Sequence, residues 1–172
     1  MRVRLHTYNY LIPLLLMLLF SACKVSYRFN DAVIDSRYKT IKLGFIENKA
    51  RYINPQLSPK LNDKLQQKIT NQTKLTRVST DDADYVISGA ITTYDGTQTV
   101  GVSGRQASTN RLTVSISIKL RRNIDNDSKD FVVSRSFDYS ANLAFNTAEA
   151  QLLDEVVRNM VDEIFNSIFS DW

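Results

Sequence analysis

Between Leu112 and Arg121 every second residue is aliphatic: Leu112, Val114, Ile116, Ile118 and Leu120 alternate with Thr113, Ser115, Ser117, Lys119 and Arg121. A period of two sends successive side chains to opposite faces, so this stretch reads as a β-strand with one face in a core and the other in a polar surrounding. An antiparallel sheet permits that division, because one of its faces can stay wet. The rest of the chain must then cover one sheet face and leave the other open. Two segments have the spacing of covering helices. Leu61, Leu65 and Ile69 follow Ser58-Pro59, where Ser58 is expected as the N-cap and Pro59 at the first helical position. From about Thr147 to Phe169 the apolar residues come in pairs four apart, from Leu152/Leu153 to Ile168/Phe169. Asn146 and Glu149 stand ahead of them at the spacing of a capping box.

Further strands are expected at Thr40–Ile46, Leu75–Val78, Tyr85–Tyr94 and Phe131–Tyr139. Gly89 lies inside the third of these and marks either a bulge or a close backbone approach. Asp125 to Asp130 reads as a polar turn. Asp95 to Asn110 reads as a long polar loop containing Gly96, Gly101 and Gly104. The order predicts an α/β chain of the α+β two-layer sandwich type, with a mixed four- to five-stranded sheet and two helices packed on one face.

The N-terminus is of another kind. Arg2 and Arg4 precede an apolar stretch, Leu11 to Phe20, which ends in Ser21-Ala22-Cys23. Basic, apolar and small-residue regions in that order make a secretory signal, and the apolar part falls short of the roughly 20 residues needed to span a bilayer. The expected organisation is a signal peptide at 1–22, a lipidated N-terminal tether at 23–38 and a single domain at 39–172. Cys23 is placed as in a bacterial lipobox, although Phe20 stands where Leu is usual. Its thiol is the candidate lipidation site.

Composition excludes several function classes. Of the 22 basic residues set against 18 acidic ones, Arg2 and Arg4 account for half of the formal +4. The exported part is nearly balanced, which gives no footing for nucleic acid. The single histidine, His6, and the single cysteine, Cys23, lie in or next to the leader. The domain therefore lacks imidazole and free thiol, the commonest tools of acid–base, nucleophilic and transition-metal chemistry. Carboxylate or Ser–Lys catalysis remains open, but no spacing points to either. The expectation is a non-enzyme with no catalytic residue, no metal and no cofactor beyond covalent lipid on Cys23.

A strand ending in Phe45-Ile46-Glu47-Asn48, a helix, the run Ala83-Asp84-Tyr85-Val86-Ile87-Ser88-Gly89, then Asn110-Arg111-Leu112-Thr113-Val114 and a long C-terminal amphipathic helix follow the lipobox. In this order the chain resembles the LptE family of outer-membrane lipoproteins. The Ala83–Gly89 run is also similar to other periplasmic lipoproteins, including CsgG-like secretion proteins and activators of peptidoglycan synthases. The LptE resemblance implies a non-catalytic partner that plugs and supports an LptD-type β-barrel during lipopolysaccharide transport. It also implies a lipid-anchored location at the outer membrane, on the periplasmic side and in the barrel lumen. Lys24, rather than an aspartate that would retain the protein in the inner membrane, follows Cys23. The alternative is a periplasmic accessory lipoprotein of a secretion pore or of a peptidoglycan synthase.

Arg105, Arg111, Lys119, Arg121 and Arg122 are the candidate contacts for lipopolysaccharide or a partner. Arginine holds phosphates and carboxylates bidentately. The competing reading is a solvated face whose cations keep the sheet soluble. Tyr85, Tyr94 and Tyr139 are either interface anchors or half-buried sheet residues.

Overall fold

Alternation carries through into the sheet. The structure, a computed structural model, describes residues 34–100 and 109–170, all within one compact unit, Asp31–Trp172. Its elements are β1 (Thr40–Leu43), β2 (Glu47–Asn48), α1 (Leu57–Gln72), β3 (Thr76–Arg77), β4 (Tyr85–Val100), β5 (Thr109–Arg122), β6 (Asp127–Ser140) and α2 (Phe145–Phe169). The order across the sheet is β3-β1-β4-β5-β6, with β2 also pairing with β4. The β1–β3, β1–β4 and β2–β4 pairs are parallel, and β4–β5–β6 is an antiparallel meander. This is the expected mixed sheet of an α+β fold, with six strands rather than four or five.

The extra strand has a local cause. After Gly44, whose N–H still donates to the Ile87 carbonyl at 2.7 Å, the chain leaves the ladder, and two α1 side chains take over the main-chain bonds of Ile46. Asn62 Oδ1 accepts from the Ile46 N–H at 2.9 Å, and the Ile46 carbonyl accepts from Asn62 Nδ2 at 3.0 Å and from the Ser58 hydroxyl. The strand expected at Thr40–Ile46 is thereby interrupted, and β2 rejoins β4 at Ala90 and Ile91. This also corrects the expected N-cap. Ser58 lies inside the helix and is buried, and Gln56 at the cap position makes no side-chain capping bond.

The core lies between one sheet face and the two helices. Leu112, Val114, Ile116, Ile118 and Leu120 are all buried, as the alternation requires. From α1 come Leu57, Leu61, Leu65 and Ile69. The α2 pairs divide their cover: the helix packs on β5 and β6 and also on α1, so both members of most pairs are buried. Tyr38, at the end of the expected tether, is in this core and stacks on Tyr85 at 4.3 Å between ring centroids.

β4 is longer than its apolar pattern. Within the expected loop at 95–110 the described residues belong to the ladder, with β4 running to Val100 and β5 starting at Thr109. Two irregularities, between Ile91 and Thr93 and between Asp95 and Gln98, each add one residue to β4. The first keeps Tyr94 on the same face as Ile91. At the second, Asp95 Oδ1 accepts from the Thr97 N–H and hydroxyl. Gly96 lies against the Phe145 ring, which a Cβ there would overlap at 2.0 Å. Of the two readings of Gly89, close approach is the one found. It pairs with Ile118 in unbroken register, and a Cβ would sit 2.5 Å from the Ser117 carbonyl oxygen.

Candidate functional site

Among the described elements, both helices pack on the same side of the sheet and neither covers its other face. The middle of that face is small and hydroxylated. Thr113 faces Ser136 and Ser115 faces Ser134, with hydroxyl–hydroxyl distances of 3.1 and 2.9 Å. Ala90 and Ser117 are paired beside them, and Val132, opposite Ser117 on β6, is 65% exposed. No long side chain interrupts this strip. A flat surface of methyls and hydroxyls can be approached closely and can exchange hydrogen bonds with water or with a partner.

Charges flank the strip. Arg111 stands opposite Asp138 in the β5–β6 register and donates to both carboxylate oxygens, at 2.6 and 3.0 Å. The hydrogen bond raises the Arg111 guanidinium and holds the Asp138 carboxyl below its usual range. Lys119 stands opposite Asp130 at 3.8 Å. Arg121 donates to the Asp81 carbonyl at 2.9 Å. Arg122 turns to the other side of the strand and bonds Asp127, which is opposite it. There it lines a cleft of about 240 Å³ with Tyr38, Tyr85, Asp125, Ile168 and Phe169. Cross-strand pairs of this kind are the sheet's counterpart of helix i,i+4 pairs.

The candidate cations are thus strung along one strand rather than gathered. Arg111 and Arg121 are ten residues apart, about 33 Å on an extended strand, and Arg122 points away from both. Cys23 and Arg105 lie outside the described residues. The tyrosines are sheet residues. Tyr85 stacks on Tyr38, Tyr139 donates to the Gly96 carbonyl at 2.6 Å, and Tyr94 is buried. Burial first, then the nearby Glu149 carboxylate, pushes the Tyr94 phenol well above its ordinary value. Burial likewise raises Tyr38 to about 12, with a further push from its bond to Asp125.

Two constellations escape a local reading of the sequence. Glu149 caps nothing: Ala144 is the cap residue of α2, without a side-chain bond. Glu149 is instead buried and accepts from Asn54 Nδ2 at 2.7 Å and the Tyr52 hydroxyl at 3.1 Å, tying the loop before α1 to the start of α2. Asp84 accepts from the backbone N–H groups of Lys39 and Thr40, at 2.7 and 2.8 Å, while its own N–H donates to Thr40 Oγ1 at 2.9 Å. These backbone bonds, that from Lys39 foremost, hold the Asp84 carboxyl below its usual range. The Ala83–Gly89 run is therefore a structural signature. Ala83, Tyr85 and Ile87 enter the core, Asp84 clamps the start of β1, and Gly89 admits the neighbouring strand.

Among the described residues no helix is long and apolar enough to cross a membrane. Solved structures resemble the fold at low sequence identity. A Helicobacter pylori homolog of the neuraminyllactose-binding hemagglutinin is 7% identical, with a TM-score of 0.55, covering 80% of this chain and 88% of that one. A minor lipoprotein from Acinetobacter baumannii is 20% identical over 77% and 92%, at 0.49. Rare lipoprotein B from Shewanella oneidensis is 16% identical over 73% and 92%, at 0.44. Comparison with curated protein sequences returns no significant match. The model of the LptE family, described by its role in lipopolysaccharide assembly, matches residues 38–168. That span takes in every element from Tyr38 under β1 to the last turn of α2, and the chain belongs to the LptE family.

Proposed function

We propose that this chain is an outer-membrane lipoprotein, anchored through lipid on Cys23, that plugs and supports an LptD-type β-barrel during lipopolysaccharide transport. The observation that carries the reading is the family match over residues 38–168. The open sheet face supports it physically. A barrel lumen is polar and hydrated. A face of small hydroxyls, with Arg111 and Lys119 paired to acids across the strands, presents polar groups to such a lumen. The role is one of binding and support rather than catalysis. Two or more acyl chains at Cys23 supply stable anchoring where one would not, on the side of the chain that leads into Ile34.

Recovery of the tagged full-length protein from native membranes, with partners identified by mass spectrometry, tests this. The expected result is co-purification of one large β-barrel in fixed ratio. A peptidoglycan synthase or a homo-oligomeric ring without a barrel would overturn it.

A further inference from the structure

The chain that leads from Cys23 into β1 is fastened down along the whole of its described part. Ile34 packs on the core. Asp35 to Tyr38 make a turn, closed by the Tyr38 N–H donating to the Asp35 carbonyl at 3.0 Å. Inside it the Asp35 carboxylate accepts from the Arg37 N–H at 3.0 Å and from Arg37 Nε at 2.8 Å. Two side chains then reach the β5–β6 turn. Arg37 Nη1 donates to Asp125 Oδ1 at 3.1 Å, and the Tyr38 hydroxyl donates to Asp125 Oδ2. The Lys39 and Thr40 amides go to Asp84, and the Lys39 carbonyl accepts from the Thr76 N–H at 2.7 Å.

The bonds to Asp84 and Thr76 align β1 within the sheet. Those to Asp125 act differently, because Asp125 lies in the turn at a hairpin tip. That turn, Asn123 to Asn126, is itself pinned. Asn123 Nδ2 donates to the Asp81 and Ala83 carbonyls at 2.9 and 2.6 Å, and the Asn123 N–H donates to the Asp84 carbonyl at 2.9 Å. Asn126 takes φ 49°, a left-handed conformation that Asn tolerates and β-branched residues resist. On the other side Tyr38 is wedged by its ring, which stacks on Tyr85, and Tyr85 meets Phe169 edge-on at 5.8 Å. A pinned carboxylate therefore meets a hydroxyl delivered by packing and a guanidinium delivered by the Asp35 turn. The Tyr38 bond first, and the Arg37 charge after it, hold the Asp125 carboxyl below its usual range, with Arg122 adding its field.

Exposed ion pairs contribute little to global stability, so the consequence of this contact is local. It decides whether residues 34–39 belong to the domain or to the chain that runs back to Cys23. At about 3.3–3.6 Å per residue, that segment amounts to about 20 Å of extended chain. We propose that Asp125 closes a strap over residues 34–39 that shortens the lipid tether and limits how far the domain reaches from the membrane. The strap stands on the contacts alone, whereas the limit on reach rests on the lipid-anchor reading.

Amide hydrogen exchange of the full chain, purified from membranes in detergent, tests the strap. In Asp125→Ala the Arg37 and Tyr38 amides should exchange about tenfold faster than in the parent, the scale of losing a charge-assisted bond. The Ile116 and Ile118 amides of β5 should stay unchanged. Tyr38→Phe, which keeps the ring, should give a smaller change at the same amides. Asp63→Asn, at an exposed carboxylate on α1, should give none. Unaltered exchange at Arg37 and Tyr38 in Asp125→Ala would overturn the strap, and so would equal acceleration at Ile116, which would make Asp125 a general stabiliser. Reach is read in vesicles, by energy transfer to acceptor lipids from a dye on Asn166→Cys, exposed near the end of α2. Opening the strap with Tyr38→Ser/Asp125→Ala should lower transfer about as far as six Gly/Ser residues inserted after Asp31 do in an otherwise parental chain. Transfer equal to the parent's, in a double variant whose Arg37 amide exchanges fast, would overturn the limit on reach. A parent chain that failed to stay on the vesicles would instead overturn the lipid-anchor reading and leave the exchange result standing.

Discussion

The two faces of β5 are built from alternate residues of one strand, yet they do opposite work. Ile116 and Ile118 are fully buried under the helices, while Ser115 and Ser117 beside them stay on the open face. On the covered face stability comes from apolar area removed from water, at about 25 cal/mol per Å². On the open face it comes from hydroxyl contacts and charge pairs in water, which contribute little. A domain divided in this way can vary its open face without disturbing its core.

The contrast breaks first if the covered face is not what holds the fold. Ile116→Ala should cost about 2–5 kcal/mol in urea unfolding, the range for deleting a large buried aliphatic. A loss under 1 kcal/mol would mean that the core is not close-packed at β5. Next comes Asp84→Ala, which leaves the Lys39 and Thr40 amides without their acceptor and should cost about 1–2 kcal/mol. The folded-state pKa of Asp84 is depressed, so its contribution is present above the unfolded value near 4 and is lost as pH falls through the folded value. Parent and variant should therefore differ at neutral pH and converge in acid, read as unfolding midpoints against pH. A gap that persisted or widened in acid would contradict the clamp. The smallest effect belongs to the open face. Arg111→Gln and Ser115→Ala should leave the unfolding midpoint nearly unchanged, and a substantial loss from either would show that this face bears structural load.

Much of the covered face was legible in the sequence, because its signals are local. The alternation of β5 and the paired apolar residues of α2 are periodicities that burial on one side enforces. Ser58 and Glu149 escape a local reading for the opposite reason. Each has the residue type and spacing of a cap, but their partners lie outside their own helices: Ile46 precedes α1, and Asn54 with Tyr52 lie more than 90 residues before Glu149. The extension of β4 beyond Tyr94 was hidden because neither of its faces is strongly apolar, and only main-chain pairing continues the ladder. Arg111, Lys119 and Arg122 drew notice as cations, whereas the register puts an acid opposite each.

The central claim is that the open face meets a barrel, and a photo-crosslinking residue at Ser134 tests it most directly. Ser134 is exposed in the middle of the hydroxyl strip, so the exchange should leave folding intact. Irradiating cells that carry the full-length variant should give one adduct with a large, heat-modifiable outer-membrane β-barrel, and the same probe at Glu155 on exposed α2 should give much less of it. Adducts from Ser134 only to soluble periplasmic proteins or to a second copy of the chain, in cells where the barrel is present, would contradict the account.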